Sequence, residues 1–178
     1  MSDDEIIDSI FEREKGYVDN PADGGGPTNF GVTLETLAHY RGLPVSADDM
    51  RALTMGEARQ IYREEYLHGP RIDLITNEAL RMVVLDAAVN HGPRTAIRML
   101  QRALRVKDDG VIGDVTLAAL PHLDQRRVAI FALAERAEFY GRLVSHDLTD
   151  RDKDGVPDNT EFDSGWMNRL GGLMRGVA

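Results

Sequence analysis

Apolar residues recur along this chain at helical spacing far more often than in alternation. Ile6, Ile7, Ile10 and Phe11 form one stripe, the pattern of an amphipathic helix, and predict a helix over Asp3–Glu14. Thr33 to Tyr40 reads as a second helix, capped by Thr33 and ended by Arg41-Gly42. Met55 to Leu67 is amphipathic through Ile61, Tyr62 and Tyr66. Thr54, with Glu57 three residues on, gives it a capping-box pattern, and His68-Gly69-Pro70 stops it. Asn77 to His91 follows, with Leu80, Val83, Val84, Ala87 and Ala88 inward. Gly92-Pro93 divides it from a helix reaching about Val106 and packed by Ile97, Leu100 and Leu104. A short helix is predicted over Asp114–Leu120, the longest over Leu123–His146, and a last one over Phe162–Arg175. In the longest, Ile130, Phe131, Ala134, Phe139 and Leu143 are the positions expected to be buried. No strand pattern is comparably strong, and a short hairpin inside residues 17–31 is the best candidate. The expected class is mainly α.

Glu14 continues the first stripe, four residues after Ile10, and Lys15-Gly16 then reads as the helix end. At the edge of the core and near the negative end of a helix dipole, its neutral acid form is favoured, which suits a general acid. The same pattern also fits an exposed terminal carboxylate. Glu12 points off that face and reads as solvated. After Gly16 come Asn20-Pro21, Asp23-Gly24 and the run to Pro27, turn formers in close succession. The chain then returns at once to Phe30, Val32 and Leu34, so the loop is expected to fold as a compact flap. Glycoside hydrolysis commonly uses one protonated carboxyl over the leaving oxygen and one carboxylate that orients water or offsets positive charge on the sugar. Glu14 and Asp23 fit those roles. Thr28 either holds the attacking water or is a plain turn residue.

The stretch from Phe11 to Thr33, FEREKGYVDNPADGGGPTNFGVT, resembles the signature region of the glycoside hydrolase family 108 lysozymes, or N-acetylmuramidases. Glu14, Gly16 and Tyr17 match its first piece, with Lys15 where glycine is usual. Pro21, Ala22, Asp23, Gly25, Gly26, Thr28, Asn29, Phe30, Gly31 and Thr33 match the rest, with Asn20 where aspartate is common. The resemblance continues through Leu85–Gly92, Leu100–Leu104, Asp109–Gly113, Thr116–Leu120 and Gly165–Arg169, and so covers nearly the whole chain. It implies a lysozyme-like helical fold with a hairpin or flap near the active site. It also implies that Glu14 is the catalytic acid and that Asp23 and Thr28 assist it. Tyr17 and Asn29 are then expected at the substrate. The ammonium of Lys15 works against a protonated Glu14.

Asp86 and Asn90 stand one helical turn apart. They either line a cleft, touching sugar hydroxyl or N-acetyl groups, or pair inside a helix bundle. His91 beside Gly92-Pro93 reads as a helix-terminus residue. The five histidines never fall at metal-ligand spacing, and the chain has neither cysteine nor a Gly-x-Ser-x-Gly elbow. Trp166 is expected to pack the last helix back onto the first domain. The second half resembles the predicted peptidoglycan-binding region that accompanies the family. Its Asp109-Gly110, Gly113 and Thr116-Leu117 are first of all turn and helix-start residues. The expected division is a catalytic region over 1–92 and a binding-like region over 93–178. No proline-, glycine- or serine-rich linker separates them, so they are expected to pack as one compact unit.

The 178 residues, 42% apolar, suffice for one good core. No apolar run is long enough to span a membrane. The acidic N-terminus lacks the pattern of a signal peptide. A formal charge of −9 argues against nucleic acid as a partner. The expected product is a monomeric, phage-type endolysin. It would be made in the bacterial cytoplasm and released to the wall by a separate holin or a secretion route. Asp147 to Asp163 alone holds seven acids and two bases. Within it, residues 150–161 fit a twelve-residue calcium loop: Asp150, Asp152, Asp154, Asp158 and Glu161 as oxygen donors, Val156 through its carbonyl, and Gly155 at the turn. Pro157 suits an unpaired, structural site for Ca²⁺. The leading activity is hydrolysis of the β-1,4 bond between N-acetylmuramic acid and N-acetylglucosamine. A lytic transglycosylase and a non-catalytic wall-binding protein are the alternatives.

Overall fold

The computed structural model describes residues 3–11, 16–18, 26–146 and 163–177. The chain divides into two compact units, Met1–Asp73 and Leu74–Ala178. The class is mainly α, with one small antiparallel hairpin among the described residues, as the apolar spacing predicts.

In the first unit, α1 (Asp3–Phe11) buries Ile6, Ile7, Ile10 and Phe11, each isoleucine contributing about 2 kcal/mol relative to exposure. The hairpin is β1 (Thr28–Asn29) paired with β2 (Val32–Thr33). Its second strand lies beyond the predicted span of 17–31. Val32 is drawn into the core, while Thr33 both pairs with Thr28 and caps α2 (Leu34–Arg41), its hydroxyl accepting from the Thr36 N–H at 3.2 Å. Gly42, in the left-handed region, ends α2 as expected. A short α3 (Ala47–Ala52) has no counterpart in the sequence reading. A reciprocal capping box between Ser46 and Asp49 starts it, and Met50 is its one buried residue.

The predicted Met55–Leu67 helix is two elements. α4 (Met55–Ile61) begins at Thr54, whose hydroxyl accepts from the Glu57 N–H. From Tyr62 to His68 the backbone widens into a π-helix that buries Tyr62, Tyr66 and Leu67. It closes with the Gly69 N–H donating to the Glu64 carbonyl at 2.9 Å. A Cβ on Gly69 would lie 2.7 Å from that oxygen, so only glycine closes the wide turn. Arg59 grips Asp8 through both Nε and Nη2, tying α4 to α1.

In the second unit, Asn77 caps α5 (Glu78–His91), and Gly92-Pro93 starts α6 (Pro93–Ala103). α7 (Asp114–Ala119), α8 (Gln125–His146) and α9 (Asp163–Val177) follow. All five predicted inward residues of α5 are buried. The predicted face of α8 is wrong. Ile130 and Phe131 are 52% and 45% exposed, while Val128, Ala129, Ala132, Leu133, Arg136 and Tyr140 are buried. Two alanines let the neighbouring helices approach closely, and an arginine occupies the centre of the inward stripe. A face chosen by hydrophobicity alone skips both. Among the described residues, no helix is long and apolar enough to cross a membrane.

Candidate active site

The sequence places its chemistry around the hairpin. Phe11 ends α1 against the ring of Phe30, 5.6 Å between centroids, and edge-on to Tyr62 at 4.9 Å. Phe30 and Gly31 have φ of 51° and 73°, the two positive values a tight two-residue hairpin needs. Such a φ strains a phenylalanine. The aromatic packing holds its ring, and the Tyr62 hydroxyl donates to its carbonyl at 2.8 Å. Before the hairpin, Val18 exchanges both backbone hydrogen bonds with Thr28, each 2.8 Å. Gly16 stands beside Asn29, with 4.0 Å between a Cβ built on it and the Asn29 Oδ1. Glu14 and Asp23 themselves lie outside the described residues.

Thr28 is half-buried, and among the described residues its hydroxyl makes no hydrogen bond. It is therefore available to a water or a sugar. Asn29 is buried, and its Nδ2 donates to the Met50 carbonyl at 2.9 Å, pinning the hairpin to α3. One N–H of its amide thus serves the fold. Tyr17 is half-buried with the Arg51 guanidinium 4.9 Å from its ring centre, so a cation already covers one ring face. A short polar chain runs from Thr33 to Thr36 (3.0 Å) and on to the Tyr66 hydroxyl (3.3 Å). Burial pushes the Tyr66 phenol up against the opposing effect of the Thr36 hydrogen bond, so it stays protonated. The hydroxyls of Tyr62 and Tyr66 are the site's unforeseen parts. Their spacing marks them as core, and only an oxygen inside an apolar stripe hints that each needs a partner.

Of the two readings for Asp86, the structure shows the bundle interior. Asp86 has no exposure. Arg136 Nη1 donates to it at 2.6 Å and Arg169 Nε at 3.0 Å. Burial raises its pKa, but Arg136 and then Arg169 outweigh burial and hold the carboxylate below its usual range. Asn90 is exposed and turns its Nδ2 back to the Asp86 carbonyl at 2.6 Å. Asp86 thus does not face a sugar, because two guanidiniums already fill it.

His91 ends α5, where the dipole favours a proton. Its Nε2 nevertheless accepts from Arg136 Nε at 3.3 Å and lies 3.1 Å from the Tyr140 hydroxyl. Burial, and after it the Arg136 charge, lower its pKa to about 4. Trp166 stacks on Tyr140, 4.7 Å between centroids and 9° between planes. It therefore packs α9 on α8, within the second unit. Arg136 and Arg169 were invisible in the sequence apart from one signal: an aspartate in an apolar helix requires a buried cation.

The turn after α6 is organised by Gln101. Its Nε2, with two N–H groups, lies 2.9, 3.0 and 3.1 Å from Asp109 Oδ1, the Val111 carbonyl and the Thr116 hydroxyl, and its Oε1 accepts from the Gly110 N–H at 2.8 Å. A Cβ on Gly110 would lie 2.6 Å from Arg94 Cγ. The Leu100–Leu104 and Asp109–Thr116 pattern is thus a turn-building device, as its residue types suggest. The calcium donors Asp150, Asp152, Asp154, Val156, Asp158 and Glu161 lie outside the described residues. Among the described residues, no three His, Asp or Glu side chains cluster as a metal site.

Comparison with known proteins gives two family matches. The model described as glycosyl hydrolase 108 matches residues 7–92, and one described as a predicted peptidoglycan domain matches residues 95–171. Among solved structures, that of Brucella abortus SagA is 33% identical, with a TM-score of 0.82 over 98% of this chain and 92% of that one. No curated protein matches the chain.

Proposed function

From the premise that the chain belongs to the glycosyl hydrolase 108 family, and is a glycosidase that degrades peptidoglycan, we propose that it is a muramidase. The bond cleaved is the β-1,4 link from N-acetylmuramic acid to N-acetylglucosamine. Glu14 protonates the leaving oxygen while water attacks the anomeric carbon, with Asp23 orienting that water or offsetting charge on the sugar and Thr28 supplying a hydroxyl. The observation that carries this reading is the reciprocal Val18–Thr28 pairing. It fixes the chain four residues past Glu14 against the strand that holds the uncommitted Thr28 hydroxyl. We also propose that residues 150–161 bind Ca²⁺ as a structural ion.

A turbidity assay on permeabilised Gram-negative cells tests the roles. Glu14→Gln is expected to abolish lysis with an unchanged circular dichroism spectrum, and Asp23→Asn to slow lysis about 10²-fold. Full lysis by Glu14→Gln overturns the mechanism. Mass spectrometry of the digest reads the chemistry: reducing muramic ends support hydrolysis, and anhydromuramic ends, one water lighter, assign a transglycosylase instead.

A further inference from the structure

Where the end of α6 meets the start of α8, the second unit has a pocket of about 270 Å³. Its wall is apolar, built from Leu104, Leu123 and Phe131. Leu123 and Phe131 are left 44% and 45% exposed. Two guanidiniums, Arg105 and Arg127, line the same pocket. Among the described residues, neither side chain makes a hydrogen bond or an ion pair. That sets them apart from Arg41, Arg59, Arg102 and Arg136, each of which holds a carboxylate. Asp124, the pocket's one acid, is engaged at the start of α8, where its Oδ1 accepts the Arg126 N–H at 3.0 Å.

Arg105 carries a second signal. It follows the last turn of α6 with its N–H donating to the Arg102 carbonyl, and its φ is 58°. That position just past a helix end is one that glycine or asparagine fills without strain. A long cationic side chain stands there against its backbone preference and lines the pocket, a local conflict that typically marks a functional position.

We propose that this pocket binds the acidic peptide of peptidoglycan, with carboxylates on Arg105 and Arg127 and a small aliphatic side chain against Leu123 and Phe131. Guanidinium offers donors only, in a fork that matches a carboxylate. A sugar edge of hydroxyls calls for acceptors as well, and here the single carboxylate is already engaged. The volume sits at the lower end of small-ligand sites, room for one or two residues and too little for a folded partner. In a chain of charge −9, unpaired cations at an apolar pocket give an acidic ligand a place to settle. The inference rests on the peptidoglycan reading above and gives the second unit recognition of the peptide while the first acts on the glycan.

The test is calorimetric titration of the full chain with L-alanyl-γ-D-glutamyl-meso-diaminopimelate, free of sugar, and with the same peptide amidated at its carboxylates. Saturable binding is expected for the acidic peptide, weakened at least tenfold by amidation, by Arg127→Ala and by Arg105→Gly. Glycine suits φ 58°, so Arg105→Gly should melt no lower than the wild type while losing the ligand. Absence of saturable binding by the wild type, or equal binding by both variants, overturns the proposal. So does self-association in sedimentation that Phe131→Ala abolishes, which would assign the apolar wall to a second copy. Peptide binding by a protein that fails to cleave walls leaves this inference standing and overturns the hydrolase reading. Cleavage without peptide binding does the reverse.

Discussion

Arg59 grips Asp8 and Arg41 grips Glu57 at the rim of the first unit, with water on one side of each pair. In the second unit Asp86 and Arg136 meet at 2.6 Å with essentially no exposure, and Arg169, His91, Tyr140 and Trp166 close around them. Rim pairs contribute little, about 0–1 kcal/mol. Buried ones are strongly destabilising to break, because the survivor is left charged in a dry interior. The first unit therefore leaves polar groups such as the Thr28 hydroxyl uncommitted near its surface. The second commits its most conspicuous acid to holding α5, α8 and α9 together. A carboxylate that stands out in the sequence is as readily a clamp as a catalyst, and which one depends on whether a guanidinium reaches it first.

The hardest blow to this contrast is Asp86→Ala. It should cost about 3–5 kcal/mol, read by urea denaturation through the fluorescence of Trp166, the only tryptophan. Asp8→Ala should cost under about 1 kcal/mol. Equal losses would dissolve the distinction. Calcium sharpens it next. At a hundredfold excess over Kd, an ion bound to residues 150–161 should stabilise the fold by about 2.7 kcal/mol. Melting with calcium against chelator measures it, and an unchanged transition removes the ion.

His91 supplies a pH test. Its folded pKa, about 4, lies below the ordinary 6.5, so the unfolded chain binds the proton more readily. The stabilisation is complete above pH 6.5 and is lost as pH falls toward 4, by roughly 3 kcal/mol. His91→Gln should flatten that limb of the stability curve, and an unaltered slope would refute the assignment. The smallest effect is expected in the first unit. Tyr62→Phe removes the bond to the Phe30 carbonyl, about 1 kcal/mol, and should speed hydrogen exchange at the Val18 and Thr28 amides. Unchanged exchange there would show that aromatic packing alone holds the turn.

The sequence revealed the fold wherever a single face of a helix is uniformly apolar. The stripes of α1, α5 and α6 and the caps at Thr33, Gly42 and Asn77 stand where their residue types put them. It failed where burial is not hydrophobic. α8 turns Arg136 inward and Phe131 outward, because a counter-charge on α5, far off in sequence, decides the face. α3 escaped because one buried methionine makes no periodicity, and only its capping box was readable. At the hairpin, residue types announce turns and hydroxyls. They do not announce that Asn29 would be taken up by the Met50 carbonyl, a contact made by tertiary packing.

The π-turns after Ile61 act as one extra residue held inside a helix. A π-bulge holds one residue more than the α-helix it interrupts, and each residue advances a helix by about 100°. Deleting a single residue between Tyr62 and His68 would regularise the backbone. It would also break the wide spacing by which Tyr62, Tyr66 and Leu67 face the core together. This segment therefore tolerates many substitutions more readily than one deletion, and its length, more than its composition, is what a lineage carrying this fold has to keep.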